Sequence, residues 1–365
     1  MLNKRKKVFV AMSGGVDSSV AAALLKKQGH NVVGVFMKPW EPSNIQINCL
    51  WKEERESALL VAAKLDIPLL TWDFSKEYQK QVAEYMIREY GKGRTPNPDV
   101  MCNKFIKFGL FLDKALEFGA DYIATGHYVR VKKKQKGVAR LGVRRDRTPY
   151  FFSLYTAKDE NKDQSYFLYT LTQEQLKHCL FPIGDYTKSE VRQLARKFGL
   201  PNWDKPDSQG ICFVGELELR DYLKTVIKPR EGLVLRKSDG KILGKHQGVW
   251  YYTIGQRHGF DLAVGKPHYI VAKDIEKNIL YVDEEFQNKK QEIKMKDFNW
   301  INKGELPLNC KVKTRYRQKD LDCTIVKNGS AEVLIKIKQE KLAIAPGQAA
   351  VFYRGKEVLG GGIIS

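Results

Sequence analysis

The chain has 365 residues, more than one average domain holds, so two or three domains are expected. Its hydrophobic fraction of 43% suffices for a buried core, and 63 Lys and Arg against 42 Asp and Glu leave a formal charge of +21, which points toward a polyanionic partner. No apolar run is long enough for a bilayer, the start through Met12 lacks a cleavage pattern, and the six cysteines show neither a disulfide framework nor zinc-knuckle spacing. The expectation is a cytoplasmic protein with no membrane contact.

In chain order, Lys7–Met12 reads as a strand and Asp17–Gln28 as a helix stopped by Gly29. Asn31–Met37 reads as a strand, Glu53–Leu65 as a helix, Pro68–Trp72 as a strand and Lys76–Tyr90 as a helix closed by Gly91. Asn103–Phe118 then reads as a helix and Tyr122–Thr125 as a strand. This alternation predicts an α/β fold with a doubly wound parallel sheet covered on both faces. Ligands of such sheets sit at the carboxyl ends of the strands. Ser13-Gly14-Gly15, Met37 and Gly126-His127 fall there.

Val131–Arg147 carries eight Lys or Arg and one Asp in 17 residues and reads as a loop or hairpin facing solvent or phosphate. Gln173–Cys179 and Lys188–Phe198 read as helices and Pro201–Glu216 as a loop. From Glu231 the texture changes to short strands at Gly232–Arg236, Trp250–Thr253, Tyr269–Ala272, Ile279–Val282, Asn309–Arg315, Ala331–Ile337 and Gln348–Tyr353. The expected division is a catalytic domain over residues 1–220 with a helical insertion near 160–200, a central β-rich domain over 221–285, and a C-terminal β-barrel over 286–365.

Ser13-Gly14-Gly15-Val16-Asp17-Ser18-Ser19, between an apolar strand and an Ala-rich helix, is a phosphate cradle. Its glycines admit an anion to backbone N–H groups, the helix N-terminus adds positive potential, and Asp17 can hold Mg²⁺ or cap the helix. It lacks the lysine of a Walker A loop. The plain alternative is a Gly turn with Asp17 as N-cap.

The second unusual segment is Thr95–Asn103, where Pro96 and Pro98 fix an extended loop ended by Asp99 and Cys102 opens a helix. A thiol at a helix N-terminus is shifted toward thiolate and becomes a nucleophile. The third is Asp207–Glu216, which carries Cys212 on a Gly-bounded loop. Cys49, Cys179, Cys310 and Cys323 read as small core residues.

The heptad resembles the loop of the ATP pyrophosphatase (PP-loop) superfamily, whose fold is the adenine nucleotide alpha hydrolase type. With Asn97–Cys102, Ala124–Tyr128, Lys162–Leu168, Asp207–Gly215, Tyr252–Arg257, Arg315–Arg317, Pro346–Gln348 and Leu359–Gly362, nearly the whole chain resembles the tRNA-specific 2-thiouridylase family, MnmA. That resemblance implies adenylation of the C2 oxygen of a tRNA wobble uridine and its replacement by sulfur, giving 2-thiouridine, AMP and pyrophosphate. It implies ATP binding by Ala11, Met12, Ser13, Gly14, Gly15, Val16, Asp17, Ser18, Met37 and Gly126, with Mg²⁺ arriving on ATP and no separate metal site. It assigns a persulfide to Cys212, and to Cys102 attack on that persulfide or closure of a disulfide with Cys212. Asn97, Pro98 and Asp99 contact the target base, with Asp99 a candidate general base. His127, Lys162, Asp163, Gln164, Arg315, Tyr316 and Gln348 contact tRNA. The implied partners are tRNAs for Lys, Glu and Gln and an upstream sulfur-relay donor, with the enzyme a monomer.

Two other readings compete. Another PP-loop enzyme acting on a small metabolite would need neither Cys102 nor Cys212 nor a basic β tail. A non-catalytic RNA-binding protein would not need the intact set of Ser13, Asp17 and Ser18. A cluster-bearing thiolase is rejected, because it needs Cys-x-x-Cys ligands that the sequence lacks.

Overall fold

A computed structural model describes residues 5–42, 50–135, 150–207, 219–257, 267–286, 291–328, 332–339 and 342–365. The first unit runs β1 (Lys7–Ala11), α1 (Val16–Lys27), β2 (Asn31–Lys38), α2 (Leu50–Leu65) and β3 (Leu69–Asp73). It continues through α3 (Ser75–Tyr78), a π-helical segment Gln79–Ala83 and α4 (Glu84–Gly91). Next come α5 (Pro98–Met101), a π-helical segment Cys102–Leu110, α6 (Phe111–Glu117) and β4 (Tyr122–Ala124).

The strands β5 (Val129–Gln135) and β6 (Tyr150–Thr156) follow, then α7 (Gln173–Lys177), β7 (Cys179–Leu180) and α8 (Lys188–Lys197). Five strands form a parallel sheet in the order β3-β2-β1-β4-β7. Alternate residues of β1 serve its two faces. Val8 and Val10 pack with Val20, Ala21, Leu24 and Leu25 of α1, while Phe9 packs with Trp72 and Phe111. Burial on both sides explains why the strand is an unbroken apolar run.

A second unit comprises α9 (Leu219–Val226), β8 (Gly232–Arg236), β9 (Ile242–His246), β10 (Tyr269–Asp274) and β11 (Ile279–Asp283), its sheet ordered β10-β11-β8-β9. Trp250–Thr253, expected as a strand, instead begins in a 3₁₀ turn over Val249–Tyr251, with Gly248 at φ +143° just before it. The third unit is β12 (Gln291–Trp300), β13 (Leu308–Lys313), β14 (Leu321–Asn328), β15 (Glu332–Ile337), β16 (Ala349–Arg354) and β17 (Glu357–Ile364). These run β12-β15-β14-β13-β16-β17, and β12 also pairs with β17, which closes a barrel. The doubly wound sheet and the barrel are as expected.

Part of the basic stretch has a specific place. Residues 131–135 lie in β5, paired with β6, and β6 adds to β17 of the barrel through Glu357 opposite Tyr155. Lys133 lies over the Tyr150 ring at 3.9 Å, and Lys134 reaches Glu357 at 3.3 Å. These lysines are bound to a sheet rather than merely solvated, while 136–149 lie outside the described residues. Among the described residues no helix is long and apolar enough to cross a membrane.

Candidate active site

In the order β3-β2-β1-β4 the strand succession switches from one side of β1 to the other, and the crevice of such a parallel sheet opens at that switch between β1 and β4. Ala11 ends β1, Met12 is buried behind it, and Ser13 is exposed at the mouth. Gly14 has φ +75°, and a Cβ there would stand 2.2 Å from the Glu54 carbonyl oxygen. Across the crevice, Gly126 follows β4, and a Cβ on it would meet the Ser18 nitrogen at 2.7 Å. Each glycine lets two backbones approach closely, Gly14 against Glu54 and Gly126 against the first turn of α1. Met37, half-buried, lies near the end of β2.

Gly15 is the N-cap of α1 and supplies no side-chain cap. Ser19 N–H makes the first bond back to the Gly15 carbonyl, so the N–H groups of the turn before it face outward as an anion cradle. The loop is held from below, because Ser57 Oγ and Asn202 Nδ2 donate to the Gly14 carbonyl at 2.8 and 2.9 Å. Asn202 Nδ2 also reaches Ser19 Oγ at 3.0 Å. Ser18 Oγ donates to the Gly15 carbonyl at 3.1 Å and lies 3.2 Å from Ser13 N, which fixes the turn.

Asp17 does not cap the helix. Its Oδ1 accepts from Tyr128 OH and from Lys188 Nζ, each at 2.7 Å. Burial and the Asp17 charge hold the Tyr128 hydroxyl well above the ordinary phenol range. Lys188 continues to Asp207 at 2.8 Å, and Asp207 also accepts from Lys162 at 2.7 Å and Arg192 at 3.0 Å. Burial works against the Asp207 charge, but the bonds from Lys162 and Lys188 outweigh it and bring its pKa down to about 2. Tyr128, Lys188, Arg192 and Asn202 carry no motif signal of their own that marks them for this network. One signal was available: Thr187 caps α8 in a capping box with Glu190, so Lys188 occupies the first helical position, where a cation opposes the helix dipole.

The cysteine segment differs from its expectation. The helix starts at Pro98 rather than Asn103, because Asn97 Oδ1 accepts from Asp99 N and Val100 N and Pro98 fits the first helical position. Asp99 therefore lies in the first turn. Cys102 follows that turn, fully buried, where the helix widens to π geometry. Direct exposure of its thiol to the helix N-terminus is thus lost. Cys212 lies outside the described residues, as do Cys49 and the segment 208–218.

The remaining candidates are distributed over the junction of the three units. Gln348 Nε2 donates to the Thr95 carbonyl at 2.9 Å, Thr95 N donates to the Pro346 carbonyl, and Thr95 Oγ1 meets Thr253 Oγ1 at 3.2 Å. The barrel and the middle unit therefore grip the residue two before Asn97. Asp163 is buried and accepts from Ala157 N, Ser165 N and Ser165 Oγ; burial raises its pKa. Gln164 Oε1 accepts from Tyr128 N at 2.9 Å. His127 is buried against Phe108 and Phe181 with Nδ1 2.7 Å from Thr125 Oγ1, and burial holds its pKa well below the usual value.

Arg315 and Tyr316 do not lie along a strand but in the turn after β13, where Arg317 has φ +62°. Arg315 Nη2 donates to the Ile254 and Ala343 carbonyls. The Tyr316 ring lies 4.5 Å from Phe167 and offers an aromatic platform.

The whole length of the chain has counterparts. Residues 6–216 match the model described as tRNA methyl transferase HUP domain, 220–284 the tRNA methyl transferase PRC-barrel domain, and 290–364 the aminomethyltransferase beta-barrel domain. The tRNA-specific 2-thiouridylase MnmA of Bacillus licheniformis is 46% identical over 98% of this chain and 94% of its own. MnmA 2 of Geobacillus kaustophilus is 44% identical over the same shares, as is MnmA of Bacillus subtilis.

Proposed function

The chain belongs to the MnmA family of tRNA-specific 2-thiouridylases, and from that premise we propose that it thiolates the wobble uridine of tRNA at the expense of ATP. The observation that carries the ATP step is the Ser13–Ser19 loop at the α1 N-terminus, which lacks a side-chain cap and is flanked by Gly126 and Asp17. N–H groups at the α1 N-terminus bind the phosphates, and Gly126 brings the end of β4 close beside that turn without a side chain. The donor set suits magnesium, which takes one or two carboxylates and otherwise phosphate oxygens and water; Asp17 is the carboxylate. When bound, Mg²⁺ offsets the charge of the departing pyrophosphate.

The uracil C2 oxygen is a poor leaving group. Its attack on the α-phosphorus of ATP releases pyrophosphate and makes AMP the leaving group at C2. Lys188, now facing Asp17, stands where it can follow the negative charge onto the phosphates. Sulfur then comes from a persulfide on Cys212. Either the terminal sulfur attacks C2 and expels AMP, after which Cys102 attacks Cys212 Sγ and frees 2-thiouridine, or Cys102 attacks Cys212 Sγ first and releases hydrosulfide, which attacks C2 and expels AMP. Both routes leave a Cys102–Cys212 disulfide.

Asn97, Pro98 and Asp99 hold the extruded base, with Asp99 as its base partner. His127, Lys162, Asp163, Gln164, Arg315, Tyr316 and Gln348 shape the tRNA surface, some by contact and some, like Asp163 and Gln348, by anchoring backbone. The substrates are tRNAs for Lys, Glu and Gln, a sulfur-relay protein loads Cys212, and the enzyme works as a cytoplasmic monomer. The working division of the chain stays at 1–220, 221–285 and 286–365.

Cys212→Ser tests the sulfur step. It should eliminate 2-thiouridine and the AMP that leaves with it, while single-turnover pyrophosphate release and tRNA affinity stay within about twofold. Persistent 2-thiouridine in the variant would remove Cys212 from the mechanism.

A further inference from the structure

The barrel holds a second thiol pair. On the antiparallel strands β13 and β14, Cys310 stands directly opposite Cys323, with the sulfurs 3.5 Å apart. The neighbouring positions point to the other face, where Thr324 Oγ1 donates to Asn309 Oδ1 and Lys311 pairs with Asp322 at 2.8 Å. Cys323 therefore faces the barrel core with Leu321, Ile325 and Val312, while Cys310 is half-buried at its margin. Directly opposed residues of an antiparallel pair have Cα atoms about 4.5–5.5 Å apart, inside the window of about 4.4–6.8 Å that a disulfide requires. Side-chain rotation alone can close the pair.

The position matters because of what the two cysteines bracket. The chain between them carries Arg315, Tyr316 and Arg317 in the turn from β13 to β14. A bond between Cys310 and Cys323 would clamp the ladder at the root of that turn.

We propose that Cys310 and Cys323 form a modification site, a dithiol that a low-molecular-weight disulfide such as oxidised glutathione converts to an intramolecular disulfide. The more exposed Cys310 thiolate attacks one sulfur of the oxidant, forming a mixed disulfide and expelling one thiolate. The Cys323 thiolate then attacks Cys310 Sγ and expels the second. The protein loses two electrons and two protons, which appear as two molecules of reduced glutathione. Intracellular disulfides of this kind are characteristically reversible and redox-sensing. The consequence for tRNA rests on the thiolation function above; the chemistry of the pair does not.

The test uses the full chain, equilibrated in glutathione buffers of increasing oxidised fraction, quenched by alkylation and mapped without reduction. Mapping separates this pair from any bond involving Cys102 or Cys212. The expected result is a peptide linking residues 310 and 323. Cys323→Ser, or Cys323→Ala if the serine variant folds poorly, should stop at a mixed disulfide on Cys310. Hydrogen exchange of amides over 309–325 should slow at least about fivefold on oxidation, and not in Cys310→Ser. Thiols at 310 and 323 that stay alkylatable, stable glutathionylation of Cys310 in the wild type, or unchanged exchange would each overturn the proposal. Absence of tRNA thiolation would count against the function and leave this result readable.

Discussion

Lys188 Nζ lies 2.7 Å from Asp17 Oδ1 and 2.8 Å from Asp207 Oδ1, joining the phosphate loop to the segment that leads toward Cys212. The Lys188 side chain is 14% exposed and that of Asp17 32%, so the pair is only partly shielded from water. Tyr128 strengthens the tie, since its hydroxyl bonds Asp17 while its backbone N–H is held by Gln164.

Lys188→Met should lower AMP formation about 100-fold, the scale of removing one preorganised electrostatic group. Affinity for tRNA should stay within about twofold, and Lys188→Arg should restore part of the rate. Equal losses in both properties, measured by AMP release and filter binding, would mean that Lys188 only supports the fold.

Gly126→Ala should weaken ATP binding at least about tenfold. The added methyl would stand 2.7 Å from the Ser18 nitrogen and 2.8 Å from the Asp17 carbonyl carbon, both backbone atoms with little room to yield. Gly240→Ala, where nothing lies within 4 Å but φ is +71°, is the control for strain alone. Calorimetric ATP affinities that fall equally in both variants would contradict the crevice assignment.

The place of the phosphate loop in the fold was legible. The Ser13–Ser19 heptad and the strand–helix rhythm located the crevice, because local glycine and β-branched patterns report directly on backbone conformation. The start of the Cys102 helix was not, since it turns on Asn97 acting as cap, and a proline such as Pro98 suits both an extended loop and a first helical turn. The network around Asp17 was hidden for a different reason. Tyr128, Lys188 and Asp207 are separated by long stretches of chain, and only the tertiary fold brings their side chains together. The same holds for β5, whose lysines lie against aromatic rings of β6 and a carboxylate of the barrel strand β17.

The pH response follows from the carboxylate at the centre of that network. Asp207 has its folded pKa depressed to about 2 from an ordinary value of 3.8. The stability it contributes is therefore fully present above pH 3.8 and is lost as pH falls through about 2. Asp207→Asn should flatten the acid-unfolding curve in that window and leave it unchanged near neutrality, apart from a constant offset. An identical slope by circular dichroism would mean the carboxylate is not held by Lys162 and Lys188.

Gln348→Ala removes the bond to the Thr95 carbonyl that ties the barrel to the Asn97 turn. The expected cost is about 1 kcal/mol of stability. Thiolation and tRNA-dependent AMP release should fall together with ATP affinity unchanged, because the turn positions the base whose oxygen is adenylated. A fall in ATP affinity would place Gln348 with the nucleotide instead.

The central claim is that ATP cleavage and sulfur insertion occur on the same tRNA uridine. It is tested by incubating the enzyme with ATP, a persulfide donor and unmodified tRNA, then quantifying AMP and nucleosides by mass spectrometry. The account predicts 2-thiouridine and AMP in equal amounts, both dependent on tRNA. AMP formed from ATP without any 2-thiouridine, at full persulfide loading, would contradict it.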